Sequence, residues 1–229
     1  MWKQPRKARC SITADWAMIN NTICIYHDSI GMPRADGMFA LTKCSWGAQG
    51  WSVRHLTREH AKAHPLYAPY LAAAKRLPTV NSPAYEETCW VRWLAYDLCV
   101  YDYGISLFTD SDVLNRNFNY RPGLEHTYLN PSYVVGGTFS IGSFETSRAV
   151  HDVLHGRIHP WVERGGPHAS DMVHSSWLRK QLNVVDFERF VTEPEAASAR
   201  LVNYSNDHCT ELGLETLEQR KEHWILNGG

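Results

Sequence analysis

The chain has no apolar run approaching the ~18–20 residues that a membrane-spanning helix needs, so no helical span is expected. It has no Cys-x-x-Cys pair; Cys10, Cys24, Cys44, Cys89, Cys99 and Cys209 stand far apart. Zinc-finger and thioredoxin-type chemistry therefore lose their usual spacing. No apolar segment follows the opening Met-Trp-Lys-Gln-Pro-Arg-Lys, so no signal peptide is legible. A cytoplasmic location with reduced, mostly buried thiols is the expectation. Charge of one sign is missing too: 23 Lys+Arg against 24 Asp+Glu leave a formal net charge of −1. No global field commits the protein to nucleic acid or to an anionic surface. Only the first ten residues are lopsided, with Lys3, Arg6, Lys7 and Arg9 and no acid. They read as a basic arm over residues 1–12 or as a solvated terminus. There is no Gly-x-Ser-x-Gly elbow, no P-loop, and no Gly-x-Gly-x-x-Gly after the first strand. Serine hydrolases, P-loop NTPases and dinucleotide enzymes lose their signatures with them.

What is present is an ordinary globular composition: 229 residues, 44% hydrophobic and 12% aromatic. A chain of that length buries roughly 70–75% of its unfolded surface, enough for one substantial core. Residues 22–28 form a β-branched and aromatic run that turns polar at its end, and an Asp-Gly helix start follows at Asp36. A helix over 37–48 and a second strand over Trp51–Thr57 complete a βαβ opening, which implies a parallel sheet flanked by helices. Prolines limit 58–83 to a helix near 68–76. Apolar residues at three- and four-residue steps predict a long helix from Ala84 to Tyr103, stopped by Gly104. A strand over 105–109 follows, then an apolar run from Tyr133 to Ile141 broken by Gly136-Gly137. Helices are predicted at 144–156, 170–182 and 210–225, and short strands at 184–191 and 200–205. With no repeat or linker visible, 1–229 reads as a single α/β domain.

The chemistry concentrates at Asp110-Ser111-Asp112, which closes the 105–109 strand. Carboxylates at i and i+2 on an extended segment point the same way. At the carboxyl end of a parallel strand they face the crevice where ligands bind. Hard oxygen ligands suit Mg²⁺ or Mn²⁺ with phosphate oxygens completing the shell. A capping turn is the plainer reading of the tripeptide.

Cys-Trp-Val-Arg-Trp-Leu-Ala-Tyr (89–96), Tyr-Asp-Tyr-Gly (101–104) and Ile-Ser-Leu-Phe-Thr-Asp-Ser-Asp-Val (105–113) together resemble the core of GT-A glycosyltransferases. The similar branch, small and capsular or phage-like, leads an Arg-bearing helix through Tyr-Gly-Gly into a strand ending in Asp-x-Asp. Here Cys89 stands where that helix commonly carries an Asp, the second Gly is missing, and one extra residue separates Gly104 from Asp110. The resemblance implies a GT-A-like (Rossmann-like) fold and a nucleotide-diphosphate sugar donor such as a UDP-sugar. It also implies a Mn²⁺- or Mg²⁺-bound diphosphate and transfer to an acceptor hydroxyl, either of a glycan or of a hydroxymethylated base in DNA. Asp110 and Asp112 would hold the metal, with His208, or Asn203 or Asn206, completing it from a late segment. Arg92 matches the helix Arg, whose fork suits phosphate or a sugar–carboxylate network; an ordinary surface ion pair is the alternative. Asp171, opening a helix, would face the sugar or act as base beside Asp110; an acid favoured by the helix N-terminus is the alternative.

His27, Asp28 and Thr57 end the first two strands and by topology would border the same crevice, with Ser111; a turn-forming Asp28 is the alternative. Gly136 and Gly137 would let backbone approach a ligand, or mark a bulge. A rival metal site is His151, His155 and His159, spaced by four, but Gly156 and Pro160 interrupt the helix it needs. Two other classes stay open: a metal-dependent nucleotidyltransferase or phosphodiesterase using the same carboxylates, and a catalytically inactive glycan-binding domain.

Overall fold

The computed structural model describes residues 22–29, 36–103, 106–118, 128–129, 139–141, 143–158, 160–172, 174, 177, 201–204, 209 and 212–226. Its centre is β1 (Thr22–Tyr26), an apolar run buried on both faces, as expected of a strand inside a parallel sheet. β2 (Ser52–Leu56) and β3 (Ser106–Thr109) flank it, both parallel to it. Beyond β3 the direction reverses: β6 (Phe139–Ile141) pairs antiparallel with β3, and β5 (Tyr128–Leu129) antiparallel with β6. The strand order is therefore β2-β1-β3-β6-β5. A separate two-stranded ribbon joins β4 (Val113–Asn115) to β7 (Leu201–Asn203).

The helices in chain order are α1 (Asp36–Ala48), α2 (Arg58–Lys62), α3 (Tyr67–Ala74), α4 (Pro83–Tyr103), α5 (Ser143–Leu154), α6 (Pro160–Glu163) and α7 (Leu217–Leu226). Side-chain alternation along β1 divides the core. Cys24 and Tyr26 pack with Leu56 and Phe108 against α4, where Trp90, Val91 and Leu94 are buried. Ile23 and Ile25 point the other way, into Trp46, Trp51, Val113 and Phe118. A third cluster, Met38, Leu114, Val202, Tyr204 and Trp224, seats the β4–β7 ribbon against α1 and α7. No helix among the described residues is long and apolar enough to cross a membrane.

The parallel α/β expectation holds for the β2-β1-β3 core, and the predicted helices near 37–48, 68–76, 84–103 and 144–156 form within two residues of their expected ends. Two of those ends have a visible cause. At Gly50 (φ 80°) the chain turns left-handed while the Trp51 N–H reaches back to the Trp46 carbonyl. At Gly156 (φ 67°) the Arg157 N–H does the same to Asp152. Both close the last helical turn in the pattern glycine makes accessible. The helix predicted over 210–225 is shorter: α7 begins at Leu217, after Thr216 and Gln219 exchange N–H bonds across its first turn. β4, α2 and α6 were not anticipated; at three to five residues each is too short to display a period. Of 170–182, residues 171, 172, 174 and 177 are helical; the remainder and the strand predicted at 184–191 lie outside the described residues.

Candidate functional site

β1 leads through α1 to β2 on one side, while β3 lies on its other side and leads away toward the ribbon. β1 and β3 are paired as far as Ile25 and Thr109, so the segments that leave their carboxyl ends lie side by side, at the edge where open α/β sheets bind ligands. His27 and Asp28 follow β1 there, and Asp110–Asp112 follows β3. The three acidic-loop residues are not an extension of the strand. β3 stops at Thr109, and Ser111 and Asp112 form a turn, so the alternation argument for paired carboxylates does not apply.

Helix α1 holds this turn instead. The buried Thr42 hydroxyl donates to the Ser111 carbonyl at 2.8 Å, and Trp46 Nε1–H to the Val113 carbonyl at 2.9 Å. Ser45 Oγ accepts the Asn115 N–H at 3.0 Å. From the ribbon, the Tyr204 N–H donates to the Asp112 carbonyl at 2.9 Å. Thr42→Val keeps the volume and leaves the Ser111 carbonyl without that donor. It should cost about 1–2 kcal/mol in urea denaturation, with a loss below about 0.3 kcal/mol marking the bond as incidental.

Arg92 brings the distant acids together. It projects from α4 with 6% of its surface exposed. Its Nη1 lies 2.5 Å from Asp110 Oδ1, and its Nε donates to Asp171 Oδ2 at 2.8 Å, with Nη2 2.5 Å from the same oxygen. Trp93 Nε1–H adds a donor to Asp171 Oδ2 at 3.2 Å. Burial opposes the charge on Arg92, but Asp110 and Asp171 outweigh it and hold the guanidinium firmly protonated. Asp110 is raised above the ordinary carboxylate range by burial, against the pull of Arg92 and with a push from Asp171. Asp112 is pushed up to about 7, first by burial and then by the neighbouring Asp110 charge. Cys89, one turn before Arg92, has its thiol raised by burial and is no thiolate nucleophile.

The remaining candidates are engaged in their own contacts. His27 Nε2 lies 2.6 Å from Asp36 Oδ1, its ring stacked on Phe39 at 4.8 Å. That bond, with one from Ser29, holds the Asp36 carboxyl below its usual range. Asp28 accepts Arg58 Nε at 2.6 Å, and the same guanidinium bonds Glu87 and the Thr88 hydroxyl. Thr57 caps α2, its N–H donating to His60 Nδ1 at 3.1 Å. Arg58, Glu87 and Thr88 were not anticipated; the available signal is that an Arg directly after β2 shares an edge with the end of β1. Asn203 pairs with Val113 across the ribbon, one residue from Asp112. Gly136, Gly137, Asn206 and His208 lie outside the described residues, as does His159 of the histidine trio. His151 and His155 are exposed and stack at 4.0 Å, and His155 Nδ1 bonds the His151 carbonyl at 2.8 Å.

Among the described residues no group of three His, Cys, Asp or Glu could hold a metal ion. Two carboxylates nonetheless fit a hard divalent cation that takes its other ligands from phosphate and water. Asp112 gives no ion pair or side-chain partner among the described residues, and its crowding by Asp110 is relieved by a cation. No protein-family model, curated protein or solved structure matches the chain.

Proposed function

We propose that the chain is a GT-A-like glycosyltransferase that moves a sugar from a nucleotide-diphosphate sugar to a hydroxyl of a glycan or of a hydroxymethylated base in DNA. The observation that carries this reading is the Arg92–Asp110–Asp171 network beside Asp112, at the adjoining carboxyl ends of β1 and β3. Asp112 and Asp110 would hold Mn²⁺ or Mg²⁺. Such an ion supplies positive charge where a departing diphosphate develops negative charge. Arg92 is saturated by two carboxylates, so its role is to hold Asp110 and Asp171 in register rather than to grip phosphate itself. Asp171, fixed by Arg92 and Trp93, would orient sugar hydroxyls, and the buried surroundings would exclude the water that competes for the sugar. Mixed parallel and antiparallel pairing on either side of β3, with a ribbon leaving the acidic turn, supports the same reading.

The test is thermal melting with Mn²⁺ and UDP, GDP or their sugar conjugates, followed by product analysis. A ligand at about 100 times its dissociation constant adds roughly 2.7 kcal/mol, which raises Tm by about 5–10 °C for a domain of this size. The expected result is one nucleotide that stabilises only with metal, and release of a nucleoside diphosphate. Release of pyrophosphate would transfer the site to nucleotidyl chemistry. No shift with any nucleotide, with or without metal, overturns the donor site.

A further inference from the structure

We propose that Cys24 and Cys99 are a disulfide-forming pair that fastens β1 to α4. The two sulfurs lie 2.6 Å apart although 75 positions separate them in the chain. Both side chains are enclosed, at 0% and 3% exposure, on the face where β1 packs against α4. A bonded S–S distance is about 2.05 Å, so the two sulfurs need to approach by roughly half an ångström. The other described cysteines behave differently: Cys44 is exposed, Cys89 lies beside Arg92 and Asp171, and Cys209 sits in the cluster under the ribbon.

The step needs an oxidant, and a low-molecular-weight disulfide RSSR supplies it. The Cys99 thiolate attacks one sulfur of RSSR and releases RS⁻. The Cys24 thiolate then attacks the protein-bound sulfur of the mixed disulfide and releases the second RS⁻. The protein loses two hydrogens and gains one S–S bond, while RSSR is reduced to two RSH. Because both sulfurs are buried, exchange proceeds during folding or local opening rather than on the closed native state. The closed bond would encircle α1, β2, α2 and α3, so it removes much freedom from the unfolded chain. It also joins the strand that carries His27 and Asp28 to the helix that carries Arg92, and it does so whatever reaction the crevice performs.

The experiment refolds the full chain from urea with and without oxidised glutathione, blocks free thiols, and maps tryptic peptides without reduction. The expected product joins segment 10–34 to segment 93–116 with a loss of two hydrogens, and fragmentation places the link at Cys24 rather than Cys10. The oxidised protein should melt about 5–15 °C above the reduced one. Cys44→Ala should keep that difference and Cys24→Ala should abolish it. A map in which Cys24 and Cys99 are both alkylated while Cys44 carries glutathione overturns the pairing. So does a link from Cys99 to any other cysteine. The peptide map on the unsubstituted chain stands even where Cys24→Ala fails to fold.

Discussion

Arg92→Met should lose about 3–5 kcal/mol of stability, lowering Tm by roughly 6–20 °C. The size follows from what is left behind. Met fills the space of the side chain but not its charge, so Asp110 and Asp171 become buried carboxylates without their shared cation. The pH dependence has a definite sign. In the unsubstituted protein Arg92 pulls Asp110 down against burial; without it the folded-state pKa of Asp110 rises further. Groups whose folded pKa is raised lower stability above that pKa and cost nothing once protonated in both states. The deficit of Arg92→Met should therefore be greatest near pH 8 and shrink as the pH falls toward 5. Adding Asp110→Asn and Asp171→Asn should restore much of the loss, because a neutral network needs no counter-charge. Chemical denaturation of the single and triple variants at pH 5 and pH 8 decides it. A deficit under 1 kcal/mol, or one equal at both pH values, would show that solvent screens the network and that Arg92 does not organise the acids.

That network also marks the boundary of what the residue order reveals. The long helix α4 was legible because its buried Trp90, Trp93 and Leu94 recur at helical steps, and β1 because four of its five residues are apolar or aromatic and buried. Asp110 is legible from the acidic pair that closes a strand, and Arg92 and Asp171 only from the resemblance. Their meeting spans up to 79 positions, and no local periodicity encodes a contact of that range. The same applies to Arg58 with Asp28, 30 positions apart. The Asp-Ser-Asp geometry departs from its sequence expectation for a related reason. Strand alternation ends at Thr109, and Thr42, 69 positions away, holds the Ser111 carbonyl in the turn that follows. Local pattern identifies the elements; the crevice is made by their pairing.

Asp112→Asn should separate function from stability in opposite directions. The Asp112 carboxyl is raised from 3.8 to about 7 by burial and by Asp110. An acid with a raised folded pKa costs nothing below about pH 4, begins to destabilise as the unfolded form ionises, and reaches its full penalty above about pH 7. Asn removes the charge with little change in shape. The variant should match the parent near pH 4 and exceed it at pH 8 by about 1–3 kcal/mol, less than the full shift because Asp112 is partly exposed. In melting temperature that is a rise of roughly 3–10 °C. Sugar transfer should meanwhile fall by about a thousandfold or more, and stabilisation by Mn²⁺ should disappear. Asp112 in a capping turn predicts the reverse: Asn at that position would cost stability or leave it unchanged at every pH, with transfer intact. Melting curves at pH 4, 6 and 8, with and without Mn²⁺, distinguish the two before any acceptor is identified. A variant that is no more stable at pH 8 and still responds to Mn²⁺ would remove the acidic turn from the site.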